Sequence, residues 1–171
     1  SWLASGLAGD ASCHLVFVGE NHAGDYGQEL AKRIRKSACS DRILITGWAD
    51  PDVYRDWLAA ADVAVQLRTR SRGETSGTVL DCMNYSLATV VNAHGSMADL
   101  PGDGVVILPD QFEDAELIQA LETLAHEPAR RSVLGRRARE IIETHHQPQA
   151  CAAQYAQAIE RFYQPTAPGV P

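Results

Sequence analysis

The sequence predicts an α/β fold built on a parallel sheet of about five to six strands with helices on both faces. Three observations carry this. Short apolar runs alternate with amphipathic stretches of ten or more residues, the pattern of right-handed β-α-β units. Glycine-bearing loops follow several of the apolar runs, at the strand ends where such sheets bind ligands. The 171 residues, 45% hydrophobic and 22% charged, suffice for one soluble domain with a core. The arrangement expected from these is Rossmann-like.

Taken in order, residues 1–8 read as the end of a helix stopped near Gly9, and His14 to Val18 as a first strand ending at Gly19. A helix is expected from Tyr26 to Ser37, with Leu30 and Ile34 inward and Lys32, Arg33, Arg35 and Lys36 on a solvated face. Arg42 to Thr46 is the second strand. Pro51 suits the first position of the next helix, whose buried face is Tyr54, Trp57 and Leu58. Ala61 to Val65 reads as a buried strand extending to Leu67, and Ala88 to Asn92 as the fourth. After a short strand at 105–108 the pattern turns helical, over Ala115–His126, Pro128–His145 and Pro148–Phe162. The last of these has Ala152, Tyr155, Ile159 and Phe162 as its inward face. One domain, 1–163, is expected, with the proline-rich residues 164–171 as a disordered tail. Ser1 in place of Met, and an apolar helical pattern that opens without a cap, read as a cut through a longer protein.

Charge and cysteines narrow the function. A net charge of -7 opposes bulk binding to nucleic acid or anionic membrane, which needs a positive surface to displace counterions. Cys13, Cys39, Cys82 and Cys151 lack close C-x-x-C pairing, so no metal is expected; they read as reduced thiols of a cytoplasmic protein. A peripheral position at the inner membrane face is an expectation for a full-length protein only. No apolar run reaches membrane-spanning length. The G-x-G-x-x-G dinucleotide fingerprint and the Walker lysine motif are absent, against a dehydrogenase or a P-loop ATPase. Arg130, Arg131, Arg136, Arg137 and Arg139 fit an exposed helix face better than an RNA surface in so acidic a chain.

The stretch with most chemistry is 68–87, R-T-R-S-R-G-E-T-S-G-T-V-L-D-C-M-N-Y-S-L. It leads from a strand through a glycine loop into a helix on which Val79, Leu80, Met83 and Leu87 share a face, with Thr75 or Ser76 at the N-cap. Free amide donors and the positive end of the helix dipole then converge on one spot, a site suited to phosphate. Arg68, Arg70 and Arg72 cluster beside it, and Glu74 and Asp81 place two carboxylates where sugar or ribose hydroxyls would lie. For this segment alone, an ordinary strand-to-helix turn stays open.

Five ordered motifs carry a resemblance: L-V-F-V-G-E, R-I-L-I-T-G-W-A-D, Y-R-D-W-L-A-A-A-D-V-A-V, G-E-T-S-G-T-V-L-D-C-M and A-T-V-V-N-A-H-G-S-M-A-D-L-P. Over Leu15 to Pro101 the chain resembles the C-terminal, donor-binding half of family-4 glycosyltransferases of the GT-B architecture. The resemblance implies a retaining enzyme that moves a sugar from a nucleoside-diphosphate sugar to an acceptor and uses no metal or other cofactor. Amides of Gly77, Thr78 and Val79, with Ser76 beside them, would meet the charge growing on the leaving diphosphate.

By the same resemblance Glu74 takes the catalytic place beside the transferring sugar and Asp81 the ribose contact. Gly19 and Glu20 line the cleft, and Trp48, Ala49 and Asp50 lie near the base. The two carboxylates have six residues between them, one fewer than the family's pair, and Asp81 is shorter than the usual glutamate. His94 reads as a polar loop residue. The strand with the family's diphosphate-binding arginine and lysine is missing, as is the N-terminal acceptor-binding domain. Whether Arg68 or Arg72 substitutes for those cations is open. These 171 residues are therefore expected to transfer no sugar alone, and a sheet edge left bare by the missing strand offers a route to dimerisation. A non-catalytic nucleotide-sugar binding module and a GT-B sugar-nucleotide epimerase are the alternatives. Polysaccharide synthesis is an analogy only.

Overall fold

The computed structural model describes residues 1–163; the expected tail, 164–171, lies outside them. The chain runs β1 (Leu15–Phe17), α1 (Asp25–Lys36), β2 (Ile43–Ile45), α2 (Pro51–Ala60), β3 (Val63–Gln66), α3 (Gly77–Asn84), β4 (Ala88–Asn92), β5 (Val106–Leu108), α4 (Asp114–His126), α5 (Pro128–His145) and α6 (Pro148–Tyr163). All paired strands are parallel, as the alternation of runs predicts. They do not form one sheet. β1 pairs with β2, and β3, β4 and β5 make a separate three-stranded sheet in that order.

β4 is the centre of the molecule. Every one of its residues is buried, as a continuous apolar run covered on both faces requires. Val91 packs with Val79 and Met83 of α3 and Ala138 and Ile141 of α5. Ala88 and Val90 pack on the opposite face against Leu117 and Leu124 of α4. Helices therefore cover both faces, and the Rossmann-like expectation holds.

Longer-range polar ties fix the helices and the N-terminal segment. Arg131 donates to the carbonyls of Leu124 and Ala125 at the end of α4 (2.7 and 2.8 Å), so it caps one helix from the next. Arg139 of α5 donates to the backbone and side chain of Asn84 at the end of α3, and Arg137 pairs with Asp103 at 2.6 Å. Three of the five arginines read as an exposed helix face thus also make structural ties. The Gly6 amide donates to Glu122 of α4 at 2.7 Å, and the Arg42 guanidinium gathers the carbonyls of Ala8, Asp10 and Cys13.

Several expectations need correction. Residues 1–8 form two short 3-10 turns, Trp2–Ala4 and Gly6–Ala8, rather than the end of an α-helix; Ser5, extended between them, interrupts the helical path. The run 61–65 is not a fully buried strand, because β3 is an edge: Val65 and Leu67 are exposed. Leu87 does not belong to α3, which ends at Asn84. The chain turns back at Ser86, with φ of 58°, and delivers Leu87 to a cluster with Leu58 and Cys82. The face of α6 read as inward is bare: Tyr155 is 75% and Phe162 82% exposed, and α6 buries no residue.

Candidate functional site

The carboxyl ends of β1, β2 and β3 carry the site residues that the sequence singles out. At the end of β1 and β2 the chains cross at an isolated bridge between Gly19 and Gly47. The Gly19 amide also donates to Thr46 Oγ1 at 3.0 Å. Glu20 and Trp48 project from this crossing into solvent, Trp48 with 81% of its surface exposed. Ala49 is half-buried, and Asp50 caps α2, its Oδ1 accepting the amides of Asp52 and Val53 at 2.9 and 3.0 Å. Pro51 at the first helical position completes that start.

The second cluster lies where β3 runs into α3. Ser76 is the N-cap residue, as read, but its hydroxyl makes no capping bond. It accepts from Arg68 Nη2 at 2.9 Å and lies 3.2 Å from Thr78 Oγ1. The first turn of α3, at Gly77, Thr78 and Val79, therefore presents its amides without a side-chain cap, and the positive end of the helix dipole with them. Thr78 Oγ1 also donates to Gln66 at the end of β3 (3.2 Å).

Glu74 is folded onto its own loop. Arg68 Nη1 donates to Oε1 at 2.9 Å, and the Arg72 amide donates to Oε2 at 2.6 Å. Backbone amide donors first, then the nearby Arg68 charge, hold its carboxyl below the usual carboxylate range. It is a carboxylate at neutral pH. Arg72 acts here through its backbone; its side chain is exposed, as is that of Arg70.

Asp81 lies one turn into α3 and accepts the Tyr54 hydroxyl at 3.1 Å. Burial, and then the Asp81 charge, push the Tyr54 phenol well above its ordinary value, so it stays protonated and donates. The bond joins α3 to α2 and so to the loop that carries Trp48. The neighbouring Cys82 thiol is pushed up to about 11 by burial and by Asp81, which leaves it an inert core residue.

Beyond β4 and β5 lie contacts that sequence reasoning passed over. His94 Nδ1 lies 2.7 Å from Asp110 Oδ1, so the residue read as a plain loop histidine is tied to the end of β5. Ser96 Oγ donates to the Glu74 carbonyl at 2.7 Å. Gly95 has φ of 59°, and a Cβ there would lie 2.4 Å from Ser71 Oγ, so only glycine lets the 94–96 turn press this closely on the loop between β3 and α3. Buried Asn92 is bonded to the backbone of Arg68. No local pattern announced these partners; a polar Asn ending an otherwise apolar run was the one available signal.

Glu74, Gly77, Thr78 and Asp81 are all exposed, so the cluster forms an open shelf. Surface concavities of about 270 and 590 Å³ lie elsewhere, lined by residues such as Leu58, Tyr85 and Pro128 in one and Leu3, Arg33 and Lys36 in the other. An exposed shelf with oriented amides can hold an anionic group from one side only.

The sequence profile of the family described as "Glycosyl transferases group 1" matches residues 4–127. Among curated proteins, none matches the chain in sequence. Among solved structures, sucrose-phosphate synthase from Thermosynechococcus elongatus superposes with a TM-score of 0.73 at 18% identity, over 92% of this chain and 40% of that one. Anabaena HepE in complex with UDP gives 0.78 at 19% identity, over 91% of this chain and 43% of that one. The C-terminal domain of the group 1 glycosyl transferase LpcC from Francisella tularensis gives 0.75 at 15% identity, over 86% and 76%. The chain thus spans less than half the length of the first and second of these and has the fold of a GT-B half. Among the described residues, no helix is long and apolar enough to cross a membrane.

Proposed function

The chain belongs to the glycosyl transferases group 1 family, and we propose that its part in that chemistry is to hold the sugar donor. It is the donor-binding half of a retaining, metal-independent glycosyltransferase acting on a nucleoside-diphosphate sugar, with a hexose as the transferred group. The observation that carries this reading is the uncapped start of α3, with Arg68 and Glu74 held beside it. The diphosphate rests on the Gly77, Thr78 and Val79 amides, and the helix dipole and Arg68 offset the charge that grows as the anomeric C–O bond breaks. Glu74, an acceptor throughout, takes hydroxyls of the sugar. Asp81, aimed by Tyr54, takes the ribose. The flat face of Trp48 is free to stack on a base. HepE has been solved with UDP and with UDP-glucose, which makes UDP the first nucleotide to try.

An open shelf needs an opposing wall, and that wall is an acceptor-binding domain outside these residues. Without it, water reaches the reacting centre and the acceptor is not positioned. The isolated chain therefore shows no transfer. The role in a longer, cytoplasmic protein of polysaccharide synthesis belongs to the same proposal.

A second reading has one observation in its favour. Glu74 spends both carboxylate oxygens on its own loop, which suits a binding module that has lost the reaction. Calorimetric titration with UDP, GDP and ADP, on this chain and on one extended at its N-terminus, tests the shared premise. One nucleotide is expected to bind the extended chain, and Asp81→Ala to weaken it. If no nucleotide binds even the extended form, the donor site is wrong. Product analysis of the longer protein separates transfer from binding alone and from epimerisation of the donor.

A further inference from the structure

We infer that Asn92 is a positioning residue for the donor loop: its buried amide fixes the backbone at Arg68, and through the Arg68 guanidinium it places the carboxylate of Glu74. Its consequence for the donor rests on the proposed function; its consequence for the loop does not.

Asn92 is the last residue of β4 and is 1% exposed. A buried carboxamide has to find partners for its oxygen and its two N–H groups. Asn92 Oδ1 accepts the Arg68 amide at 2.8 Å, and Nδ2 donates to the Arg68 carbonyl, also at 2.8 Å. The side chain thereby copies a peptide group. The backbone ladder between β3 and β4 closes at Gln66 and Val91, and Asn92 adds one more two-bond rung beyond it, made by a side chain.

That rung falls where the chain would otherwise be free to turn. With both backbone groups of Arg68 engaged, the direction in which its side chain leaves is set. The guanidinium then spans the loop and donates to Glu74 Oε1 and to Ser76 Oγ, both at 2.9 Å. One buried amide thus lies behind the clamp on the proposed catalytic carboxylate and on the N-cap of α3.

A second group of bonds braces the same amide. Nδ2 lies 3.4 Å from both the carbonyl and Oδ1 of Asp110, and that oxygen is 2.7 Å from His94 Nδ1. Asn92 therefore ties together the loops that leave β3, β4 and β5. Leucine or valine in its place would fill the space and leave two backbone groups of Arg68 unpaired.

Being a satisfied polar residue of the core is a different role, and Thr89 provides the control. It is also fully buried on β4, and its Oγ1 donates to the Leu87 carbonyl at 3.0 Å, away from the donor loop. A residue that serves only global stability behaves as Thr89 does.

The test is limited trypsin digestion of the native chain, following cleavage after Arg70 and Arg72 by mass spectrometry, with global stability measured in parallel. Asn92→Ala and Arg68→Ala are each expected to speed loop cleavage about tenfold through local opening. Because Asn92 acts through Arg68, the double variant is expected to be no faster than either single one. Asn92→Ser keeps a small hydroxyl that can bond one backbone group of Arg68, and is expected to fall between wild type and alanine; it carries the test if Asn92→Ala does not fold. Thr89→Val is expected to leave loop cleavage unchanged. Unchanged cleavage in the Asn92 variants, equal acceleration by Thr89→Val, or effects that multiply in the double variant would each overturn the inference. No nucleotide is present in this experiment. A loop that opens in Asn92→Ala while UDP fails to bind even the N-terminally extended wild type supports the positioning role and removes the donor reading. Unchanged cleavage with UDP bound at the loop does the reverse.

Discussion

The three-stranded half of the molecule and the two-stranded half hold the same kind of loop at their strand ends and build it differently. In the β3–β4–β5 half the central strand is wholly buried, and the loops beyond it are bonded to one another through Asn92, Arg68, Glu74, Ser96 and Asp110. In the β1–β2 half Phe17 and Leu44 are exposed, and so are Glu20 and Trp48 beyond the strand ends. The difference teaches where precision is built in. Charge and sugar would meet a preformed shelf, whose groups need no reorganisation as the reaction proceeds. The β1–β2 end, with its exposed Trp48, is left adaptable.

The largest effects should separate the two halves. Met83, fully buried between α3, β4 and α5, is expected to cost about 3 kcal/mol on change to alanine. Leu44→Ala, at a residue 46% exposed, is expected to cost less than about 1 kcal/mol. Denaturant unfolding measures both, and similar values would break the contrast. Gly135→Ala comes next. A Cβ there would lie 1.9 Å from the Ser86 carbonyl oxygen, so α5 must move off the turn before β4, at about 2 kcal/mol in a thermal melt. A loss below about 0.5 kcal/mol would mean that this half yields as easily as the other.

Smaller effects sharpen the picture at the loops. Asp50→Ala removes the cap of α2 and is expected to cost about 1 kcal/mol, with faster amide exchange at Asp52 and Val53 as the local sign. Glu74 gives the pH dependence. Its folded value is depressed, so the order it lends the loop is fully present above the ordinary carboxylate range. That order is lost as pH falls through the lowered value. A carboxyl NMR titration is expected to place the Glu74 midpoint below that of an unstructured peptide of residues 68–81. Coincident midpoints would mean that the loop bonds do not persist in solution.

How much of this was legible in the sequence depends on the length scale of the signal. β4 reads correctly as Ala88–Asn92 and α5 as Pro128–His145, because continuous burial and a proline-led amphipathic face are local patterns. The strand-to-helix turn that starts α3 was also visible, from glycines and hydroxyls beside an apolar run. Tertiary ties were not. Tyr54 meets Asp81, and Asn92 meets Arg68, across 27 and 24 residues, and no periodicity records such a meeting. The division into two sheets was hidden for a related reason: β1 and β3 have the composition of strands whether or not a neighbour pairs with them. The apolar face of α6 shows the converse, a helical pattern that nothing in the described residues covers.

The central claim is that the start of α3, with the loop before it, receives the diphosphate of a nucleotide sugar. Amide chemical-shift mapping of this chain during titration with UDP tests it most directly, because it reads weak binding residue by residue. Shifts are expected at Gly77, Thr78 and Val79 first, with Gly73, Glu74 and Asp81 following and Gly135 in the core unmoved. Shifts confined to other surfaces, or none at millimolar UDP (about the weakest Kd such a site would show) in this chain and in one extended at its N-terminus alike, would contradict it.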